Sequence, residues 1–126
     1  KNYCKNKIKK KNTKLSFQLT ENKDILKFIS THNKRPKLVV GFAAETNDIE
    51  KNAKLKLKRK KCDLIVANDV SKKQKVMGSD MNSAHIYNNS SLLTTYKSMK
   101  KEDLSKRFLT EIIHPILHKK IGENIL

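Results

Sequence analysis

The sequence predicts an α/β fold, and the prediction depends on two short apolar runs and on the segment between them. Residues 38–43 and 63–67 are dominated by apolar side chains over the length of a strand. The lysine-rich segment that joins them repeats its apolar residues at helical spacing. Apolar runs without polar alternation are typical of strands that are buried on both faces of a parallel sheet. Strand, helix and strand in this order make a parallel crossover, so we expect a Rossmann-like sheet with crossover helices.

Two elements are predicted before this unit. Residues 15–19 alternate between apolar and polar side chains, which is typical of a half-buried strand. Residues 20–22 offer helix-capping side chains, and a short helix is expected over residues 24–30. Three apolar residues would share one face of that helix: Ile25, Leu26 and Ile29.

The crossover helix is expected to begin after Asn47, with Glu50 as the capping-box partner of that residue, and to run to about Lys60. Successive residues of a helix are turned by about 100°, so the positions that face the sheet can be identified. The buried stripe would consist of Ile49, Ala53 and Leu57. Four lysines fall on the opposite side and would be solvated: Lys51, Lys54, Lys58 and Lys61.

Lys56 and Lys60 occupy a different position on this helix. They are four residues apart, so they lie on one face, and both project beside the predicted buried stripe. Lysines on the inward side of a crossover helix either extend along apolar surface toward water or contact a ligand. The spacing alone leaves both interpretations open.

Further elements are predicted after the crossover unit. Residues 71–80 form a basic loop, and strands are expected over residues 83–87 and 92–96. A long amphipathic helix is expected over residues 101–118, bent or ended by Pro115. About five strands and three helices make a sheet too small to be covered well on both faces. We therefore expect the first strands of a larger sheet to be missing, so that this is an incomplete fold.

Composition limits the class of protein. A chain of 126 residues is one domain or part of one. The formal net charge of +17 suggests an anionic partner, yet only three of the 29 cationic residues are arginines. Arginine reads phosphates and bases better than lysine, so we expect no specific nucleic-acid binding. No apolar run is long enough to cross a membrane and two distant cysteines suggest reduced thiols, so we expect a cytoplasmic protein.

A ligand site is expected at the carboxyl ends of the two central strands, where open α/β sheets bind their ligands. Those ends are residues 41–45 and 68–69. Gly41 would allow a ligand to approach the backbone closely, and the nearby helix N-terminus favours anions. Phe42 is either a core residue or a surface on which a planar ring could stack.

The stretch GFAAETNDIEKNAKLKLKRKKCDLIVANDVS resembles the C-terminal part of bacterial phosphopantothenate–cysteine ligases. In that family the ligase is commonly the second half of a bifunctional coenzyme A biosynthesis protein. The resemblance covers nearly the whole chain, residues 1–126, as the C-terminal part of such a domain. It continues through four further segments, which are KIKK, NKDIL, MGSDMNSAHIY and KKEDLSKRFLTEII.

The resemblance implies a reaction and its participants. CTP would activate the carboxylate of 4′-phosphopantothenate as an acyl-cytidylate, and the amine of L-cysteine would then form the amide. Mg²⁺ would assist by neutralising phosphate charge. FMN would be present only if an N-terminal decarboxylase domain exists elsewhere. The family is homodimeric, and residues 1–20 would form a basic flap and a dimerisation strand.

The resemblance also implies the site residues. Lys7, the first lysine of KIKK, would contact the phosphates and stabilise the transition state, a role that Lys9 or Lys10 could share. The nucleotide-binding residues would be Lys7, Lys23, Asp24, Ile25, Leu26, Phe42, Lys56 and Lys60. The helical wheel separates Lys56 and Lys60 from the other lysines independently of the resemblance.

The chain also departs from the family pattern. Lys23 replaces a proline, and the glycine-rich phosphate loop of the family's N-terminal half has no counterpart in this sequence. One alternative is therefore a split ligase that is complemented by a separate N-terminal chain. Another is a non-catalytic basic fragment that binds nucleic acid nonspecifically. A metal site at His114 and His118 lacks a third ligand, and Asp69 and Asp80 are expected in loop or capping roles more than at Mg²⁺.

Overall fold

The computed structural model describes residues 19–71 and 81–122, the last three of them by their backbone alone. Within these residues the protein has one four-stranded sheet in the order β1-β2-β3-β4. The first two strands are parallel, and the other neighbours are antiparallel. The α/β prediction is confirmed, with a mixed and open sheet. The strands are β1 Val40–Glu45, β2 Leu64–Asp69, β3 Met81–Tyr87 and β4 Leu92–Lys100.

Helices cover the sheet and connect its strands. A short helix, α1, precedes β1, and the predicted crossover helix, α2, joins β1 to its parallel neighbour β2. A long C-terminal helix follows β4 directly and contains one π-helical turn. The helices are α1 Ile25–Thr31, α2 Ile49–Lys60, α3 Lys101–Phe108, the π-helical turn Leu109–Ile113 and α4 His114–Gly122. In the described part of the chain, no helix has both the length and the apolar character needed to cross a membrane.

The two faces of the sheet carry separate cores. On one face, Ala53 and Leu57 of α2 pack with Ala43 of β1 and Ile65 of β2, and Ile49 packs at the margin. This confirms the buried stripe that the helical wheel predicts. On the other face, the C-terminal helix packs over the middle of the sheet. That second core contains Val66, Ala84, Ile86 and Tyr96, with Leu104, Phe108 and Ile112 packed against it.

The prediction that both central strands are buried on both faces is right for β2 and wrong for β1. Residues 64–67 of β2 are all buried, whereas the burial of β1 alternates along the strand. Phe42 and Ala44 are exposed, while Ala43 and Glu45 are buried against α2. β1 lies at the end of the described sheet, and the C-terminal helix covers its first residue, Val40, but not its second half.

The predicted capping of α2 is wrong. The residue before the helix is Asp48, in the left-handed conformation at φ 46°, and its side chain makes no capping hydrogen bond. The Asn47 carbonyl instead accepts a hydrogen bond from Asn52 Nδ2 at 3.0 Å. Glu50 forms an ion pair with Lys54 at 2.6 Å, so it does not complete a capping box. The α2 helix therefore starts directly from the tight turn after β1, without a side-chain cap.

The first helix also differs from its prediction. Its N-cap is Asp24, which accepts a hydrogen bond from the Lys27 N–H at 3.0 Å, whereas residues 20–22 were expected to cap it. Of the three apolar residues predicted to share one face, Leu26 packs on the first core, but Ile25 and Ile29 are exposed. Burial of a helical residue depends on which other elements pack against its face, and sequence periodicity does not contain that information.

The remaining predictions fall on the C-terminal half of the chain and on segments outside the described residues. The strand predicted over residues 92–96 extends to Lys100, and the helix predicted to bend or end at Pro115 continues through it. The His114 N–H bonds to the Leu109 carbonyl, five residues back, so the wider turn accommodates a proline that disfavours regular α-helix. Of the predicted strand over residues 15–19, only Leu19 is described, and it is exposed and outside regular structure. The predicted loop 71–80 lies outside the described residues apart from Ser71.

Candidate functional site

The two singled-out lysines of α2 each meet a carboxylate from a different element. Lys56 Nζ lies 2.6 Å from Glu45 Oε1, at the end of β1. Lys60 Nζ contacts Asp24 Oδ2, at the N-cap of α1. Both lysine side chains are partly exposed, at 38% and 24%, so they are neither fully solvated nor enclosed. The predicted difference between this pair and the solvated lysines of α2 is confirmed.

Glu45 is the more enclosed of the two carboxylates. The residue is 8% exposed, and its backbone carbonyl accepts a hydrogen bond from the Val70 N–H at 2.9 Å. Strand alternation places its side chain on the same face as Ala43, under α2. A buried carboxylate is costly unless a cation neutralises it, and Lys56 is that cation. Glu45 therefore holds the ammonium of Lys56 at the carboxyl end of β1.

Asp24 has two structural roles. Its carboxylate caps α1 through the Lys27 N–H and also accepts a hydrogen bond from Lys60 of α2. The hydrogen bond from Lys60 is the main cause that lowers the pKa of Asp24, and the backbone hydrogen bond from Lys27 adds to it. The group is therefore ionised at neutral pH. Its ion pair with Lys60 connects the start of α1 to the last turn of α2.

An open polar cleft of about 670 Å³ surrounds this second ion pair. It lies between the approach to α1 and the C-terminal turn of α2, and cations outnumber carboxylates in its lining. The ammonium and guanidinium groups of this lining can each donate a hydrogen bond to an anionic oxygen. The lining residues are Glu21, Asn22, Asp24, Lys27, Arg59 and Lys60.

The predicted nucleotide-binding residues 23–26 lie in different environments. Lys23 Nζ lies 3.5 Å above the ring of Phe28, while Ile25 is 68% exposed. Leu26 points into the protein, where its Cδ2 atom lies 2.7 Å from the position that a Cβ at Gly41 would occupy. Ile65 Cδ1 lies at the same distance from that position. The missing side chain of Gly41 therefore makes room for the packing of α1, which is a different use from the ligand approach that the sequence suggests.

Phe42 lies on the other face of the sheet from the two lysines. It alternates with Ala43 and Glu45, so it points away from α2, and it is 75% exposed. The expectation of a core residue is wrong, and the second interpretation, a surface for a planar ring, fits this exposure. The structure thus brings Asp24, Lys56 and Lys60 to one side of β1 and Phe42 to the opposite side.

Some predicted residues cannot be placed, and some relevant residues were not predicted. Lys7, Lys9 and Lys10 lie outside the described residues. Glu45 was not predicted as a site residue, although strand alternation with Ala43 would have placed it under α2. Asn68 was also not predicted as a site residue, although it lies at the carboxyl end of β2, where the sequence predicts a ligand site. Its Oδ1 is buried without a hydrogen-bond partner among the described residues, which only the structure shows.

The other candidates for chemistry have ordinary structural roles. The rings of His114 and His118 are 6.4 Å apart between centroids. Within residues 19–71 and 81–122, no three His, Cys, Asp or Glu side chains are grouped closely enough to hold a metal ion. Asp69 accepts the Ser71 N–H at 2.9 Å, and this hydrogen bond lowers its pKa. Cys62 is buried in the first core, and burial raises the pKa of its thiol.

Comparisons with known proteins identify relatives of this chain. Residues 1–116 match the family model described as DNA/pantothenate metabolism flavoprotein C-terminal domain. The coenzyme A biosynthesis bifunctional protein CoaBC of Bacillus subtilis (strain 168) is 39% identical over 117 residues, 93% of this chain and 28% of that protein. CoaBC of Escherichia coli (strain K12) is 42% identical over 84 residues, 64% of this chain and 21% of that protein. The chain therefore spans about a quarter of the length of these curated relatives.

A solved structure supports the same relationship. The crystal structure of the C-terminal domain of CoaBC is similar to this protein with a TM-score of 0.64 and 28% sequence identity. The similarity covers 81% of this chain and 45% of that one. The fold and the sequence therefore point to the same set of proteins.

Proposed function

The chain belongs to the DNA/pantothenate metabolism flavoprotein C-terminal domain family, and from that membership we propose that it is the C-terminal part of a CTP-dependent phosphopantothenate–cysteine ligase. Such an enzyme acts in coenzyme A biosynthesis, which is the role that the names of the curated relatives carry. The carboxylate of 4′-phosphopantothenate would attack the α-phosphorus of CTP and release pyrophosphate. The amine of L-cysteine would then attack the acyl-cytidylate and release CMP.

The observation that carries this proposal is the lysine pair of α2. Lys56 and Lys60 present partly exposed ammonium groups on one side of β1, and carboxylates hold both in place. A triphosphate supplies several negative oxygens, so its phosphates could take up the remaining donors of both lysines. Positioned cations of this kind stabilise the charge that develops during phosphoryl chemistry.

Mg²⁺ enters this proposal with the nucleotide. Since the described residues offer no group of three metal-ligating side chains, they do not fit a resident ion held by protein alone. Mg²⁺ typically keeps several waters and binds through substrate phosphates, which suits a nucleotide-borne ion. It would supply charge neutralisation on the triphosphate.

The proposed ligase also needs groups that the described residues do not supply. We propose that an N-terminal half, on the same or a separate chain, supplies the phosphate loop and completes the sheet. The outer edge of β1 pairs with no other strand in the described part of the chain, which makes it the place for added strands. A homodimer is part of the same proposal, and FMN would belong only to an attached decarboxylase domain.

A thermal-shift titration tests the CTP site. The unfolding midpoint is measured with CTP, ATP, GTP or UTP in MgCl₂ at moderate salt, because a ligand that binds the native state raises it. We expect the largest rise with CTP, and we expect Lys56→Ala or Lys60→Ala to remove most of it. Lys51→Ala and Lys58→Ala are matched controls, because they remove the same charge from the solvated side of the same helix.

Two results would contradict the proposal. Equal shifts with all four nucleotides, or equal losses in all four lysine variants, would indicate nonspecific attraction to a basic protein. In that case binding should fall steeply with ionic strength and extend to single-stranded nucleic acid. That outcome would favour the non-catalytic basic fragment.

A further inference from the structure

The short helix α1 has apolar residues on two sides, and the described part of the chain covers only one of them. On the covered side, Leu26 packs on the first core, and Ser30, one turn later, is also buried. The other side carries Ile25, Phe28 and Ile29, which we call the outer stripe of α1. Their exposed fractions are 68%, 46% and 37%. Residues three and four apart share one helix face, and a helix that is apolar on several sides is typically packed between several neighbours.

A hollow of about 170 Å³ lies at the C-terminal end of the outer stripe. Phe28, Ile29 and Pro36 supply the apolar part of its lining, and Lys34 and Arg35 supply positive charge. An apolar cavity of this size can hold a small apolar group. Exposed apolar patches with polar borders mark sites of protein–protein interaction. The hollow therefore fits one apolar side chain of a partner, with carboxylates of that partner opposite the cations.

The position of α1 places the outer stripe beside the open end of the sheet. Leu26 Cδ2 fills the space left by Gly41, so α1 lies over β1 on the same face as α2. On that face α2 packs over β1 and β2, and α1 therefore lies toward the outer edge of β1. That edge pairs with no strand among residues 19–71 and 81–122. The outer stripe and the open edge are neighbours, so one added body could cover both.

We propose that the outer stripe of α1 is the surface on which the N-terminal half of the ligase docks, with an apolar side chain of that half in the hollow. This inference rests on the proposed function and deepens it, because it names the surface that this partner contacts. The similarity to the solved C-terminal domain of CoaBC covers 45% of that chain, so more than half of such a domain lies outside it and can be the occupant. A second copy fits less well, because a two-fold contact on this face would bring Lys34 and Arg35 of both copies together.

Co-purification tests the proposal. The 126-residue chain, with an affinity tag, is co-expressed with Bacillus subtilis CoaBC from which the 117 matching residues are deleted. We expect a complex with the unaltered chain. Phe28→Glu and Ile29→Glu should each reduce the amount of co-purified partner about tenfold or more, because each places a carboxylate in the apolar contact. Ile25 is left unaltered, since it is also a predicted nucleotide-binding residue. Leu55→Glu is the matched control, because Leu55 is an apolar residue, 51% exposed, on the solvated side of α2, and it should leave co-purification unchanged.

Measurements on the chain alone identify the other occupants. If a segment of this chain outside the described residues covered the outer stripe, both α1 variants would lower the thermal unfolding midpoint much more than Leu55→Glu does. If a second copy covered it, sedimentation would show a dimer that both α1 variants dissociate. Either result would overturn the proposal, as would equal co-purification by all four proteins or no complex with the unaltered chain. No nucleotide enters these measurements, so the CTP titration decides the proposed function separately.

Discussion

At the scale of single residues, Glu45 is the side chain whose removal is most informative. Its carboxylate is buried at the end of β1 and neutralised by Lys56 at 2.6 Å. Glu45→Gln keeps the size of the side chain and leaves Lys56 without its counter-charge. Because Lys56 is more than a third exposed, water offsets part of the loss, and we expect the free energy of unfolding to fall by about 1–2 kcal/mol. Urea denaturation of both proteins measures the difference.

A control variant shows whether this effect comes from burial. Glu50→Gln removes the carboxylate that pairs with Lys54, also at 2.6 Å, but on the exposed side of α2. Exposed ion pairs contribute little, so we expect no resolvable change in the urea midpoint for this variant. Equal effects of the two substitutions would mean that the Glu45 carboxylate has no special place in the site.

At the scale of elements, the contact between α1 and α2 depends on Asp24. Asp24→Ala removes both the helix cap and the partner of Lys60, whereas Asp24→Asn keeps a capping side chain and removes only the charge. We expect amide hydrogen exchange in α1 to become faster in both variants, and faster in Asp24→Ala than in Asp24→Asn. Equal exchange in the two variants would show that capping contributes nothing to the stability of α1.

Lowering the pH should have the same effect on α1 as Asp24→Asn, because both remove the charge of the Asp24 carboxylate. The pKa of Asp24 is lowered in the folded protein, mainly by the hydrogen bond from Lys60, so its stabilising contribution is present above the ordinary pKa of an aspartate. That contribution is lost as the pH falls through the lowered folded value. Asp103→Asn, in the first turn of α3, changes a carboxylate on a different helix and is the control for general charge effects.

The elements also show how far the sequence can predict this protein. The parallel unit of β1, α2 and β2 is predictable because its apolar runs and helical stripe are strong local patterns. The exposure of Phe42 is not predictable, because it depends on how far the C-terminal helix reaches across the sheet. The capping of α2 is wrong for a similar reason, since the turn after Glu45 places Asp48 in the left-handed conformation.

In the candidate site, too, local sequence patterns predict some features, and others depend on contacts between distant elements. Helical spacing alone separates Lys56 and Lys60 from the solvated lysines, and the structure confirms that separation. The carboxylates that hold them come from β1 and from α1, and pairing across elements is not encoded in local spacing. The roles toward a nucleotide remain predictions for every predicted site residue, which are Lys7, Lys23, Asp24, Ile25, Leu26, Phe42, Lys56 and Lys60.

At the scale of the whole molecule, β1 divides the proposed site into two sides. The lysine pair lies on the α2 side, and Phe42 lies on the side of the C-terminal helix. A nucleotide that contacted both sides would pass over the carboxyl end of β1, which is the edge strand of the described sheet. Strands added beside β1 would lie next to that end, so the proposed N-terminal half could contribute to the site there.

The attachment of that helix to the sheet should depend on pH. Tyr96 of β4 donates a hydrogen bond to Glu111 Oε2 at 3.0 Å, and Arg107 donates to the same carboxylate. Burial, with the neighbouring carboxylate, raises the pKa of Tyr96 to about 12. An unfolded tyrosine titrates near pH 10, so the stabilisation is fully present below about pH 10 and is lost as the pH rises through the folded value.

For the whole molecule, we expect stability to fall at alkaline pH, and part of that fall should depend on Tyr96. Between about pH 10 and 12, this residue should lower the free energy of unfolding by up to about 1.4 kcal/mol for each pH unit. Tyr96→Phe removes the ionisable group but keeps the ring under the C-terminal helix. The free energy of unfolding of the variant should therefore lose this part of its pH dependence. At neutral pH the variant should be less stable, because the hydrogen bond to Glu111 is missing. Urea midpoints measured at several pH values from 7 to 11.5 compare the two proteins. Tyr87 is also buried with a raised pKa, so some alkaline destabilisation should remain in the variant, and identical pH profiles would show that Tyr96 keeps an ordinary pKa.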